Sequence, residues 1–227
     1  MPNILEPQLI LVDKPAGVTS HDVVAFLRRE FRSLDESGKR LLIGHSGTLD
    51  PFATGLMIIL VGPAVKAQSE FLGSAKRYQA TLQLGQATDT GDLDGQITTN
   101  QAVPPVTTEQ IEKMFANWPS PFTQAVPAYA AAKIDGRKLY QYARQGQTPS
   151  RWPIRVARAN DWQLNSLKDN EITFTVTVTA GCYIRSLAEA IAHRLGTVGH
   201  LTALRRLSSG SLSVDDALPI DLPPLDR

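Results

Sequence analysis

The sequence predicts a mixed α+β domain, and three observations carry that expectation. Segments with the two-residue period of strands occur at Arg77–Gly85 (RYQATLQLG) and Ile172–Val178 (ITFTVTV). Segments with the helical period occur after Ser20, after Thr107 and from Ile184 to Leu195. The two kinds do not alternate strictly along the chain, which fits an α+β arrangement better than a doubly wound sheet. The 227 residues are 42% hydrophobic and 20% charged, enough apolar material for a full core without staples.

In chain order, Leu9–Asp13 (LILVD) reads as a short buried strand, ended by Lys14, Pro15 and Gly17. Ser20 is the expected N-cap of a helix, with Asp22 at its positive end and Val23, Val24, Leu27, Phe31 and Leu34 on its apolar face. A polar loop is expected at Asp35–Arg40. Gly44–Gly55 (GHSGTLDPFATG) has Gly and Pro punctuation and neither period, so it reads as a loop, and it runs into the apolar Leu56–Gly62, a buried strand or helix. Thr88–Gly95 is an acidic turn. Thr107 and Gln110 form an expected capping box for a helix carrying Ile111, Met114, Phe115 and Trp118. Pro119–Pro153 reads as a core-poor excursion with one helical piece at Arg137–Arg144. Gly196 should stop the helix that carries Ile184, Leu187, Ala188, Ile191 and Leu195. Ser208–Val214 is a weak final strand, and the proline-rich LPIDLPPLDR an expected poorly ordered tail.

Several function classes have no support. A single cysteine, Cys182, rules out an intrachain disulfide and a Cys-rich zinc site. No phosphate-binding G-x-x-x-x-G-K-[ST] run, no G-x-S-x-G and no H-E-x-x-H occurs. The first residues lack a signal-peptide pattern, and Leu56–Val61 is too short an apolar run to span a bilayer, so the expectation is a cytoplasmic protein without a membrane partner. Net charge is only +1, but Lys133–Arg158 holds seven cations (Lys133, Arg137, Lys138, Arg144, Arg151, Arg155, Arg158) against one acid, Asp135. Such a stretch can hold a polyanion on one face, or be an ordinary solvated surface.

The loop around Asp50 is the best candidate for chemistry, since loops on a rigid scaffold aim reactive groups at ligands. Pro51 biases Asp50 toward extended backbone, and a carboxylate displayed there can serve as nucleophile, general base or metal ligand. The run GHSGTLDPFATG resembles the catalytic motif of the TruB family of tRNA pseudouridine synthases. Four more runs match that family in order: LVDKPAGVTSHD, KRY with LGQATDTGDLDG, AKIDGRKLYQYARQG, and CYIRSLA with ALRRLSSG. Together they reach from about Leu11 to Gly210.

The resemblance implies a pseudouridine synthase fold, with a mixed, mostly antiparallel central sheet flanked by helices and loops. It implies one catalytic domain over 1–218, an RNA-binding insertion at about 123–153 and a short tail at 219–227; many members also carry a small C-terminal RNA-binding domain of the PUA type, which is not expected here because the chain ends soon after the last motif. It makes Asp50 the catalytic aspartate, Tyr78 an aromatic packing on the target base, and Arg185 an arginine paired with the aspartate. His45 would contact the RNA where the base leaves the stack, and Tyr183 and Leu204 would wall the site. Lys14 is assigned to RNA binding with the first motif, and Lys133, Arg137, Lys138 and Arg144 with the basic segment. Core packing suits Tyr78, Tyr183 and Leu204 equally well, and Tyr140 and Tyr142 suit either RNA stacking or a helix packed on the domain. Arg185 falls at a helix start, where the dipole disfavours a cation, so a specific partner is expected. Cys182 stands where the family more often has threonine, and the loop Ser33–Leu41 looks longer than usual.

The implied reaction detaches uracil from N1, turns it and rejoins it through C5 in the T loop of tRNA, at uridine 55. An ionised Asp50 can attack the ribose C1′, attack the base, or serve a glycal route. No redox step occurs, so no cofactor and no metal are expected. The expected partner is the T arm of tRNA, with the protein a monomer without an obligatory protein partner. The alternatives are an RNA-binding or tRNA-folding module, and a guide-RNA-dependent synthase subunit.

Overall fold

The computed structural model describes residues 8–31 and 41–222. In chain order these form β1 (Gln8–Lys14), α1 (Ser20–Phe31), β2 (Ile43–Ser46), β3 (Thr54–Val61), a 3-10 turn (Gly62–Ala67), α2 (Gln68–Leu72), β4 (Lys76–Leu84), β5 (Gln86–Thr88) and β6 (Ile97–Asn100). Then come α3 (Thr108–Ala116), β7 (Phe122–Ala125), β8 (Lys133–Ile134), β9 (Arg137–Lys138), α4 (Leu139–Arg144), β10 (Ile154–Ala157), β11 (Ala159–Lys168) and β12 (Glu171–Val178). The last elements are α5 (Ile184–Arg194), β13 (Gly199–Ser209), β14 (Leu212–Ser213), a second 3-10 turn (Val214–Asp216) and β15 (Leu218–Pro219). Leu34 and the expected loop Asp35–Arg40 lie outside the described residues, as does the end of the expected tail. The expected α+β class holds, with antiparallel pairs outnumbering parallel ones.

The chain divides into two compact units, residues 1–77 with 205–227, and residues 78–204. In the first, β3 is the central strand. It pairs antiparallel with β1 along one edge. Its other edge is shared by β13, parallel at Thr54 and Gly55, and β2, antiparallel from Ile58 to Val61. Leu56, Ile58 and Leu60 point to one face and pack with Val214, Val65 and Phe71. Met57, Ile59 and Val61, on the opposite face by the two-residue period of a strand, are also buried. Burial on both faces explains why this segment is apolar without alternation, and it resolves as a strand rather than a helix.

Three expectations change here. The loop read over Gly44–Gly55 is shorter, because Gly44, His45 and Ser46 pair with Leu60, Ile59 and Ile58. Four residues of β2 are too few to display a period. The cap of α1 is Thr19 rather than Ser20: Thr19 Oγ1 accepts from the Asp22 amide (3.1 Å), and Asp22 Oδ2 accepts from the Thr19 amide (2.8 Å). This reciprocal pair is a capping box. The tail is partly ordered as well, since Leu218 and Pro219 pair parallel with Val12 and Asp13.

In the second unit the strand order is β11, β12, β4, β13. β4 alternates buried and half-buried residues as its sequence predicts. The capping box of Thr107 and Gln110 forms as expected and starts α3. Phe115 of α3 stacks on Trp162 of β11 with centroids 4.5 Å apart, and Phe174 and Trp118 complete an aromatic cluster. Pro119–Pro153 is less core-poor than its composition suggests. Strands β7 and β10 pair, and Val126, Ala130, Ile134 and Leu139 bury together beneath Ala132 and Tyr183. Its helical piece begins at Leu139, two residues later than expected, because Arg137 and Lys138 belong to the β8–β9 hairpin.

Candidate active site

Asp50 sits half-buried on the turn at 47–53 that joins β2 to β3. Within this turn Ala53 donates to the Asp50 carbonyl at 3.1 Å, and further contacts come from residues distant in sequence. Arg206 of β13, 1% exposed, donates through Nε to the Leu56 carbonyl (2.7 Å) and through Nη2 to the Gly47 carbonyl (3.1 Å). Ser20 Oγ donates to the Leu49 carbonyl (3.1 Å) and accepts from the Leu49 amide (2.9 Å). The Pro51 carbonyl accepts from the Gly17 amide (2.9 Å) and from Lys14 Nζ (3.1 Å). Backbone groups on both sides of Asp50 are therefore anchored by buried donors, the arrangement that fixes a reactive side chain on a short loop.

Lys14 is fully buried, and its ammonium makes three bonds, to the carbonyls of Pro15 (2.7 Å), Val18 (2.8 Å) and Pro51. All three N–H donors of a lysine are then occupied. The side chain expected to contact RNA is thus committed to the turn. Burial pushes Lys14 down to about 8, the Asp50 carboxylate pulls it up, Arg206 pushes it down and Asp22 pulls it up.

That shift has a sign that can be checked. An unfolded lysine keeps its proton to about pH 10.4. Between about pH 8 and that value the unfolded chain binds one more proton than the native one, so the Lys14 contribution to stability rises with pH. The stability of wild type minus that of Lys14→Met, from urea midpoints, is expected to rise by up to ~1.4 kcal/mol per pH unit across this window. A flat difference would show that the three carbonyl bonds offset burial and keep the ammonium at its ordinary value.

His45 lies on β2, half-buried, with its Nδ1 buried and without a hydrogen-bond partner among the described residues. Burial lowers its pKa, and the nearby Arg206 and His21 lower it further, so the ring is neutral at pH 7. It can offer a ligand one donor and one acceptor rather than a charge.

The remaining expected residues lie in the second unit. Tyr78 is the first residue of that unit, in β4, and is 8% exposed. Leu204 is buried in β13. Tyr183 is half-buried at the N-cap of α5, with its amide donating to Gln124 Oε1 at 2.6 Å. Cys182, beside it, has its thiol pushed up to about 12 by burial, with a Gln124 hydrogen bond acting against the rise, so it is not a reactive thiol. Arg185 is 3% exposed. Its Nη1 lies 3.5 Å from Asp92 Oδ2 and donates to the Thr90 carbonyl at 2.7 Å, while Nη2 donates to the Tyr129 carbonyl at 3.0 Å. The partner anticipated for a cation at a helix start thus includes Asp92, from the acidic turn. That turn is itself tied down: Thr90 Oγ1 donates to Asp92 Oδ1 at 2.6 Å.

Lys133, Arg137, Lys138 and Arg144 lie together on the β8–β9 hairpin and α4. Lys133 faces Lys138 directly across the antiparallel pair, a like-charge pairing that costs stability. None of the four has a carboxylate partner among the described residues. Arg137 instead lies 4.3 Å from the Tyr142 ring centroid, and Lys138 and Arg144 lie 5.5 Å from that of Tyr140. A face of four cations, three of them over aromatic rings, with the single acid Asp135 in the hairpin turn suits a polyanion.

Sequence reasoning missed Ser20, Arg206 and Asp92 as site-building residues. Arg206 had one signal, its place in a pair of arginines set within the largely apolar LTALRRL. Among the described residues no group of three His, Cys, Asp or Glu side chains converges as a metal site, and no helix is long and apolar enough to cross a membrane.

A mixed, mostly antiparallel sheet carrying an anchored aspartate turn between two of its strands fits the pseudouridine synthase fold that the motifs imply, and comparison with known proteins shows that fold. The chain superposes on a chain of a Cbf5-Nop10-Gar1 complex with a TM-score of 0.70 at 25% identity, covering 96% of this chain and 53% of that one. It also superposes on a chain of an H/ACA RNP bound to a substrate RNA, with a TM-score of 0.66 at 24% identity, covering 93% and 50%. Residues 37–184 match the model of the TruB family pseudouridylate synthase N-terminal domain. Among full sequences, tRNA pseudouridine synthase B of Psychrobacter cryohalolentis is 43% identical, over 93% of this chain and 58% of that protein. The enzyme of the same name from Psychrobacter arcticus is 42% identical, over 93% and 55%, and that of Opitutus terrae 40%, over 94% and 85%. The chain belongs to the TruB family of pseudouridylate synthases. It spans little more than half the length of the two Psychrobacter relatives.

Proposed function

We propose that the protein isomerises uridine to pseudouridine in the T loop of tRNA, at position 55. The observation that carries this reading is the Asp50 turn: the family's catalytic motif, in a chain 40–43% identical to proteins named tRNA pseudouridine synthase B, held at Gly47, Leu49 and Pro51 by buried side chains. The reaction breaks the bond from C1′ to N1, forms one from C1′ to C5, removes the C5 proton and places a proton on N1. Asp50 is the essential carboxylate. Tyr78 packs on the base taken out of the stack, an unstacking that costs a few kcal/mol and that aromatic stacking at ~1–3 kcal/mol largely offsets. Arg185 supports the ionised aspartate, with its guanidinium oriented by Asp92 and two carbonyls.

His45, Tyr183 and Leu204 contact the nucleotide, and Lys133, Arg137, Lys138 and Arg144 bind the phosphates of the T arm. Lys14 acts on the RNA only through the turn it holds. The catalytic domain is taken to extend over 1–218 with its RNA-binding insertion at about 123–153. The protein works in the cytoplasm as a monomer, without a guide RNA. The stand-alone reading is favoured because identity is higher to the enzymes named for tRNA (43%) than to the ribonucleoprotein chain (25%).

The test is pseudouridine mapping on an unmodified tRNA transcript. Conversion at one T-loop uridine, and at no other, is expected from the protein alone. Tight tRNA binding without conversion would sink the enzyme reading in favour of an RNA-folding role. Conversion only with an added guide RNA would move it to a ribonucleoprotein.

A further inference from the structure

We propose that Ser20 is a positioning residue for the Asp50 turn, setting the rate of the reaction and not the affinity for RNA. The inference rests on the reading of Asp50 as the catalytic carboxylate.

Ser20 opens α1, yet the helix does not use its hydroxyl. Capping falls to Thr19, whose side chain and carbonyl meet the Asp22 amide. The Ser20 hydroxyl is instead turned to residue 49, where it donates to the carbonyl and accepts from the amide. Both partners are buried, Ser20 at 2% and Leu49 at 3% exposure, so no solvent substitutes for either bond. One small side chain thereby fixes both backbone polar groups of the residue immediately before Asp50. The other anchors take one carbonyl each: Arg206 holds that of Gly47, and Lys14 with the Gly17 amide holds that of Pro51, on the other side of Asp50. A methyl group in place of the hydroxyl leaves a buried donor and a buried acceptor unpaired, and the turn must shift to pair them. Such a shift moves the carboxylate without touching any side chain assigned to RNA binding.

The experiment compares wild type with Ser20→Ala, Ser20→Thr and Ser20→Cys by single-turnover pseudouridine formation, tRNA affinity and hydrogen exchange at the Leu49 amide. Ser20→Ala is expected to slow the chemical step by roughly 30- to 100-fold, the cost of misplacing a catalytic group by about 1 Å. Its tRNA Kd should stay within about twofold of wild type, since only an interaction expressed in the transition state is lost. The Leu49 amide should exchange faster, while amides of β12 keep their protection. Ser20→Thr, which keeps the hydroxyl, should restore the rate. Ser20→Cys, close in size but a weak donor and acceptor, should slow the reaction even if Ser20→Ala does not fold. A rate within about twofold of wild type in both Ser20→Ala and Ser20→Cys overturns the proposal. So does a loss of rate accompanied by an equal loss of tRNA affinity. If wild type forms no pseudouridine, the functional reading fails, and unchanged Leu49 exchange in the variants then separately overturns the anchoring role.

Discussion

Asp50→Asn should abolish pseudouridine formation while leaving a folded protein that still binds tRNA. The substitution keeps the shape of the side chain and removes its charge. The anchors of the turn act on backbone groups, the Gly47 carbonyl, both polar groups of Leu49 and the Pro51 carbonyl, and they persist in the variant. Asp50 is half-buried, so the change in stability should stay within about 1 kcal/mol, typical of a conservative substitution outside the core. One electrostatic effect follows locally. Asp50 is the strongest influence raising the Lys14 pKa, and without it the Lys14 ammonium is easier to deprotonate. In the role proposed for Asp50, its loss should lower the rate on the order of 10⁴-fold or more, as loss of essential catalytic groups does elsewhere. The readout is single-turnover conversion of a tRNA transcript beside a filter-binding Kd. Residual activity above about one per cent would remove Asp50 from the centre of the mechanism, since asparagine cannot serve as a nucleophile or as a stabilising anion.

How much of this was legible in the sequence depended on how local each feature is. Strands β4 and β12 and helix α5 carry their own period, and Thr107 with Gln110 writes its cap into four residues. Strand β11 does not announce itself, because register shifts between Asn160 and Gln163 and between Leu164 and Ser166 break the alternation. Strand β13 carries adjacent arginines that read as surface. In the structure Arg205 makes a two-bond ion pair with Asp13, and Arg206 is buried against the Asp50 turn. Asp50 was visible through its motif, a local string. Its supports were not, since Ser20 lies 29 residues from Leu49 and Arg206 lies 159 from Gly47. Ser20 is instructive because Thr19 and Ser20 are both good caps, and only the packing decides which hydroxyl serves the helix and which the turn. Lys14 shows the opposite error. Its motif marks it as important, but the type of its contacts, three carbonyls and full burial, became evident only with the fold.

Gly55→Ala should be among the most damaging single-methyl changes available to this chain. Gly55 follows the Asp50 turn at the start of β3, where it lies against β13 in the parallel pairing of Arg206 with Gly55. Its φ is +105°, a conformation L side chains rarely adopt. A Cβ there would overlap the Arg206 carbonyl oxygen and lie 2.7 Å from the Arg206 nitrogen, and neither atom can rotate away because both are backbone. Strain at such a position costs about 1–3 kcal/mol before any clash is counted. Separating the strands to relieve the clash adds to it, so a total of about 4 kcal/mol or more is expected, in the exceptional range for point substitutions. For a chain of this size that lowers Tm by roughly 8–16 °C. Activity should fall beyond what unfolding explains, because the Arg206 backbone that must retreat carries the guanidinium gripping Leu56 and Gly47. Gly17→Ala supplies the comparison. Its φ of +81° is also left-handed, but nothing lies within 4 Å of the added carbon, so only conformational strain of about 1–2 kcal/mol is expected. Thermal melts of the two variants, with single-turnover rates taken well below either midpoint, separate the effects. Equal, small losses of Tm in both would mean that β3 and β13 part easily at Gly55, and that the Asp50 turn does not depend on their close approach.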